Sequence, residues 1–288
     1  RAATRARCAA RSAGGCAVSA ATLITSRDNP LLKELRKLAL DGAAYRKTGK
    51  VWIEGEHLCS AYVQRGLQPA IAVVLESKQA LAQSNIARAA TKIVVIADAL
   101  MADISPLDSL AGMGFVCDLP ADTAIDVHAT TVVLDRLQDP GNVGSILRSA
   151  AAVGFKQVVA LKGSTALWSP KVLRAGMGAH FGLRLVEGAS VEDIASLQHP
   201  LAVTSSHQGQ FLHQLLLNKA LPTHVNWALG HEGQGVCGDL QALAKLHVRI
   251  AQPGGEESLN VAAAAAICLH ASGSVQIDAA ISPRLIVA

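Results

Sequence analysis

Three stretches of this chain place polar side chains where apolar runs end, which is where a fold can aim them at a ligand. The first runs from Leu134 to Arg148: Leu134-Asp135-Arg136-Leu137-Gln138-Asp139-Pro140-Gly141-Asn142-Val143-Gly144-Ser145-Ile146-Leu147-Arg148. A strand ends, a Pro-Gly turn follows, and a helix is expected to start near Asn142 or Val143. Asn142 at the turn and Arg148, about one and a half turns into the helix, can converge on one polar ligand. The plainer alternative makes Asn142 a cap and Arg148 a surface residue. The second stretch is Gly230-His231-Glu232-Gly233-Gln234-Gly235, directly after the apolar run Val225 to Leu229. It puts a carboxylate at the end of a strand, where open α/β sheets bind ligands; the alternative is a glycine-rich turn with a solvated Glu. The third is Gln252-Pro253-Gly254-Gly255-Glu256-Glu257 feeding Ser258-Leu259-Asn260-Val261. Ser258 suits an N-cap, and Ala262 to Ala266 propagates a helix at little entropic cost.

The elements needed to position these stretches are legible as two α/β alternations. Ser26, Asp28 or Asn29 can cap a helix with Pro30 at its first position, and Leu31, Leu32, Leu35, Leu38 and Leu40 give it an apolar stripe. Val51 to His57 reads as a strand, turn and helix. His57, beside a glutamate but with no third partner, reads as structural. Strands follow at 70–75, 93–96 and 114–119, with helices at 78–90 and 99–105. Residues 23–119 thus form a small α/β domain. Residues 120–129 read as a linker. Strands near 131–135, 157–161, 201–205, 225–229 and 247–250 with helices between them predict a mostly parallel sheet, covered on both faces, in a second domain over 130–274. Residues 275–288 read as a C-terminal tail.

Composition narrows the classes. The glycine spacing is wrong for a dinucleotide fingerprint, and the Gly-Lys-Ser/Thr ending of a P-loop is missing, which argues against a nucleotide-dependent oxidoreductase. Six cysteines contain no C-x-x-C pair, which fits a reducing compartment and offers no metal site. The apolar runs break short of a membrane span, so a soluble protein is expected. The formal charge of +4 is accounted for by Arg1, Arg5, Arg7 and Arg11, leaving residues 23–288 neutral. Residues 1–22 read as a disordered tail or mis-assigned start rather than a transit peptide. Any nucleic-acid partner must therefore meet a local patch. The best one spans 27–50, where seven Lys/Arg (Arg27, Lys33, Arg36, Lys37, Arg46, Lys47 and Lys50) face three acids. Such a run is either a solvated helix face or a phosphate-contacting surface.

Together, the stretches resemble the SpoU (TrmH) family of RNA 2′-O-ribose methyltransferases, in the SPOUT superfamily. Asn142-x-Gly144-x-x-x-Arg148, Gly230-x-Glu232-x-x-Gly235 and Ser258-Leu259-Asn260-Val261 match its three motifs, and Lys171 to Ala179 is similar to its middle stretch. The resemblance covers roughly 23–272. It implies an α/β fold with a C-terminal trefoil-knotted methyltransferase domain and a smaller N-terminal RNA-binding domain like a ribosomal-protein fold. It implies S-adenosylmethionine as cofactor, held near Gly230, Ile250, Gln252 and Leu259, with Ser205 and Ser206 lining the pocket. It gives Arg148 the activation of the 2′-hydroxyl, with Asn142, Glu232, Ser258 and Asn260 positioning the reacting groups, and no metal. Arg27, Lys33, Arg36, Lys37, Arg46, Lys47, Lys171 and Arg174 would contact RNA, ribosomal RNA ahead of transfer RNA. A cytoplasmic homodimer is implied, with the helix from Leu259 to Leu269 as interface. An RNA-binding protein that kept the fold but lost catalysis is the rival, against which the intact motifs argue. One departure is Ile250-Ala251-Gln252, where the family usually has Ile-Pro-Met; losing the proline leaves that loop less restrained.

Overall fold

The computed structural model describes residues 22–105, 110–121, 124–205, 207–254 and 258–281. Most of the predicted N-terminal tail, Ser206, Gly255 to Glu257 and the end of the C-terminal tail lie outside them.

The first sheet contains β1 (Thr22–Ile24), β2 (Lys50–Glu54), β3 (Ile71–Leu75), β4 (Lys92–Ile96) and β5 (Met113–Asp118), in the order β1-β4-β3-β5-β2. β1, β4 and β3 run parallel, while β5 is antiparallel to β3 and β2. Alternate residues serve two cores. Ile53, Ala72, Val74 and Phe115 pack on one face, and Trp52, Val73, Val94 and Val116 on the other. Both faces are buried, so the strands read as continuous apolar runs. Helices α1 (Pro30–Leu40), α2 (Ala44–Thr48), α3 (Glu56–Gln64), α4 (Asn85–Arg88) and α5 (Asp98–Ala102) surround this sheet. Asn29 caps α1 as expected, its side chain accepting from Leu31 N. The helix predicted over 78–90 is broken. A 3₁₀ stretch covers Glu76–Gln83, and Ser84 then caps the single turn of α4.

The second sheet is fully parallel: β6 (Thr131–Leu134), β7 (Gln157–Leu161), β8 (Arg184–Ala189), β9 (Leu201–Thr204), β10 (Gln210–Phe211), β11 (Asn226–Leu229) and β12 (Leu246–Arg249). Their order is β10-β12-β9-β11-β6-β7-β8. The five strands expected here are present within a residue or two; β8, β10 and, in the first sheet, β1 are additions to the sequence pattern. The covering helices are α6 (Pro140–Ala152), α7 (Pro170–Gly176), α8 (Val191–Ile194), α9 (Leu212–Leu217), α10 (Gly238–Leu243) and α11 (Val261–Ile281).

One correction concerns hydropathy. α11 is long and apolar enough to cross a membrane by length and composition, contrary to the expectation that no run reaches that length. Here it docks on α6 and β11, and the buried Trp227 Nε1 donates to Ser272 Oγ at 2.8 Å.

α6 is the element on which the site rests, and Gly144 lets α7 approach it. A Cβ there would overlap Ala175 Cβ and lie 2.8 Å from backbone atoms of Ala175 and Gly176. Gly144→Ala should gain about 1 kcal/mol of helix propensity, but the clash is with backbone, and overpacking costs about 1–3 kcal/mol. A net loss of stability, read from the urea midpoint, is expected; a gain would show that α7 can retreat.

Candidate functional site

Asp135, Ser205, Gly230 and Ile250 follow β6, β9, β11 and β12, four neighbouring parallel strands. They therefore share one carboxyl edge of the sheet, the usual ligand-binding edge of an open α/β sheet.

α6 begins earlier than the sequence suggests. Asp139 is its N-cap and Pro140 its first residue; Asp139 Oδ1 accepts from Asn142 N at 2.7 Å. Asn142 is therefore not the cap. Its backbone is satisfied and its side chain is free to reach outward. Asn142 Nδ2 donates to Glu232 Oε1 at 3.3 Å, and Asn142 Oδ1 accepts from Asn260 Nδ2 at 3.0 Å. Asn260 Oδ1 in turn accepts from Ala262 N and Ala263 N at 2.9 and 3.2 Å. The predicted cap Ser258 is thus corrected to Asn260. Ser258 lies exposed two residues earlier. The three stretches meet through three side chains.

The Gly230 loop is a tight turn. A Cβ on Gly230 would overlap Gly235 C and Val236 N, and Gly235 N donates to His231 O at 2.8 Å. Glu232 stands on this turn. Partial burial pushes its carboxyl up, but hydrogen bonds from its own backbone and from Asn142, with smaller ones from the backbone of Asp139 and Gln138, outweigh that and hold it below the usual glutamate range.

A second set of contacts, absent from the sequence reading, ties the first two loops together. Asp135 is 1% exposed. It pairs with Arg136 through Nε–Oδ1 at 2.8 Å and Nη2–Oδ2 at 3.2 Å, and accepts from Cys237 N at 2.7 Å. Arg136, at φ 58°, also donates to Gln234 Oε1 at 3.0 Å. The left-handed backbone folds its side chain back across its neighbour. The Asp139 cap has a signal in the sequence, since an Asp before Pro fits cap and first position. Asp135 gives no such local sign.

Arg148 lies exposed on α6 and, among the described residues, makes no hydrogen bond or ion pair. The network of Asn142, Glu232 and Asn260 does not include it. Its guanidinium, with five donors and a permanent charge, remains available to a ligand.

Of the positions predicted to hold the cofactor, Gly230 is buried, Ile250 packs half-buried against the main core, and Leu259 is exposed. Gln252 is half-buried and its Oε1 has no hydrogen-bond partner among the described residues. Such an orphaned acceptor costs free energy unless a ligand donates to it. Ser205 Oγ accepts from His207 N and Gln208 N, so its hydroxyl shapes a turn. Ser206 lies outside the described residues.

The cations divide into two groups. Arg27 and Arg36 approach Asp103, Lys33 pairs with Asp28, and Arg46 pairs with Glu187. Lys37, Lys47, Lys171 and Arg174 have no ion pair among the described residues. Lys33, Arg36, Lys37, Leu40 and Asp41 line a shallow cleft of about 470 Å³. His57 is exposed on α3, away from these networks.

Known proteins similar to this chain identify its family. The profile of the SpoU rRNA Methylase family matches residues 129–270. A protein of Synechocystis named an uncharacterised tRNA/rRNA methyltransferase is 31% identical over 259 residues, covering 86% of this chain and 92% of its own. The 23S rRNA (guanosine(2553)-2′-O)-methyltransferase RlmP of Bacillus subtilis is 29% identical, over 86% of this chain and 97% of its own. A solved structure of an RNA 2′-O ribose methyltransferase superposes with a TM-score of 0.71 at 27% identity, over 89% of this chain and all of that one. The chain belongs to the SpoU methylase family of RNA methyltransferases.

The amide chain makes a specific prediction. In Asn260→Asp a carboxylate can still cap α11 but cannot donate to Asn142, and it brings a second negative charge towards Glu232. Thermal stability should change little while turnover drops at least about tenfold, the cost of one hydrogen bond. Wild-type turnover in that variant would show that the amide bridge is dispensable.

Proposed function

We propose that this protein transfers a methyl group from S-adenosylmethionine to a ribose 2′-oxygen of RNA, ribosomal RNA being the favoured substrate. The observation that carries the reading is the meeting of Asn142, Glu232 and Asn260 at the sheet's carboxyl edge, on the helix that presents Arg148. Family membership and the similarity to RlmP support it. Transfer RNA is the second reading, favoured by the name of the Synechocystis relative.

The residues present fit S-adenosylmethionine. Gly230 and its folded-back turn leave no room for a side chain, and Gln252 offers an acceptor without a donor. Gly230, Ile250, Gln252 and Leu259 would hold the cofactor, with Ser205 and Ser206 beside it. When bound, it supplies an electrophilic methyl on a sulfonium. A 2′-hydroxyl is a poor nucleophile at neutral pH, and Arg148 stabilises the negative charge that develops on its oxygen. An ordinary guanidinium stays protonated, so the proton leaves to solvent. Asn142 and Glu232 fix the ribose beside Arg148, and Ser258 and Asn260 close the same side.

The first sheet, over 23–119, is the RNA-binding domain, joined through 120–129 to a methyltransferase domain over 130–274. Lys37, Lys47, Lys171 and Arg174 are the least encumbered phosphate contacts, with Arg27, Lys33, Arg36 and Arg46 able to exchange their carboxylate partners for RNA. Asn260, beyond β12 in sequence, bonds back to Asn142 on α6, which fits a knot of the family's kind. Exposed Ile267, Ile277 and Ile281 on α11 support a homodimer interface there. A cytoplasmic setting fits the four described cysteines, all free thiols.

Arg148→Ala should lower turnover by about 10²–10³, the range for losing a preorganised donor, with cofactor affinity and melting temperature unchanged. Arg148→Lys should recover part of it by keeping the charge. Turnover in Arg148→Ala near that of the wild type would remove the arginine from the mechanism.

A further inference from the structure

The outermost strand of the second sheet carries an irregularity that the methyl-transfer site does not use. In β8, Glu187 pairs with Ala160 but Ala189 pairs with Leu161, leaving Gly188 as an extra residue at φ 72°. A bulge at a sheet edge re-aims the side chains beside it. Here Glu187, its side chain only 20% exposed, faces the first sheet's helices. Its carboxylate accepts from Tyr45 Oη at 2.7 and 2.6 Å to the two oxygens, and from Leu167 N at 2.7 Å. Arg46 adds an ion pair at 3.5 Å and stacks over the Tyr45 ring. Tyr45 and Arg46 belong to α2, whereas Leu167 and Glu187 belong to the second sheet's half of the molecule. Burial, then Glu187 itself, pushes the Tyr45 phenol well above its ordinary range, so it stays a donor.

Much of the rest of this seam is apolar, with the Arg65 guanidinium after α3 lying against Gly182. Leu173 of α7 lies inside the first sheet's core, and Phe181 meets Tyr62 edge-on at 5.0 Å. Glu187 is the polar anchor in that contact. α7 also touches α1 and packs on α6 through Gly144. A contiguous set of contacts therefore runs from α1 and α2, across Glu187 and Leu167 and through α7, to the helix that carries Arg148.

We propose that Glu187 is a positioning residue that pins α2 to the second sheet, holding the basic face of α1 and α2 at a fixed reach from Arg148. RNA phosphates gripped by that face then present one ribose to the site. This rests on the RNA-methylating reading, and its test separates the two. Glu187→Gln keeps the size of the side chain but removes its charge. Tyr45→Phe removes only the hydroxyl and leaves Glu187 bonded to Leu167, so it guards against misfolding of the first variant.

In both variants, amide hydrogen exchange at 44–48 should accelerate, and in Glu187→Gln also at 166–168, where Leu167 N loses its carboxylate acceptor. KM for RNA should rise about tenfold, equivalent to one charge-assisted hydrogen bond. Saturating kcat and cofactor affinity should hold, and the double variant should add little to either single one. Unchanged exchange would overturn the pin, and faster exchange with an unchanged KM, or a loss confined to kcat, would overturn its role in placing RNA. A wild-type protein that transfers no methyl to RNA would instead remove the RNA reading, while exchange still reports on the pin.

Discussion

The side-chain amide of Asn260 is used at both ends, and the site depends on that. Its oxygen is committed to the first turn of α11, because helix N-termini leave backbone donors that need an acceptor. Its nitrogen can then only donate, and it donates to Asn142. Asn142 must therefore turn its own nitrogen towards Glu232. One helix cap thus sets the orientation of two amides and the partner of a carboxylate. In each amide the oxygen and the nitrogen face partners of opposite kind, so flipping either one would set donor against donor or acceptor against acceptor.

The sheet supplies the other constraint. Parallel strands deliver the ends of β6, β9, β11 and β12 to one edge, so loops distant in sequence become neighbours. The buried Asp135 then closes the first loop against the second through Arg136 and Cys237. Removing a buried carboxylate from such a pair leaves its donors unpaired, which costs more than the pair itself contributes. Arg148 stands outside both networks. In the proposed mechanism its guanidinium meets a developing charge, a role that gains from having no competing internal partner, and the surrounding contacts fix the helix beneath it.

Much of this can be read from the chain. The apolar stretches ending at Leu134, Thr204 and Leu229 locate three strands because both faces of the sheet are buried there, while β12 buries only Val248. The three motifs identify Asn142, Glu232 and Asn260, all of which meet. Local detail is where the sequence falls short. Ser258 and Asn260 are both good caps, and the start of α11 at Val261 makes Asn260 the one that serves. β8 escapes the pattern because its strand is interrupted by Gly188 and carries Glu187, a residue whose partner lies in the other half of the molecule. The break near Lys78 and Ser84 is hidden by an alanine-rich sequence that favours helix. Asp135 gives no signal because burial of a charge is a property of the fold, not of its neighbours in sequence.

In the proposed reaction this site methylates a ribose oxygen of RNA. The most direct test gives the protein labelled S-adenosylmethionine and ribosomal RNA stripped of its native modifications, then digests the RNA with alkali. Methylation of a 2′-oxygen blocks that oxygen from attacking its neighbouring phosphate, so the predicted result is label in one alkali-resistant linkage. Label released in ordinary mononucleotides would place the methyl on a base, and no label despite bound cofactor would deny the activity; either result would contradict the account.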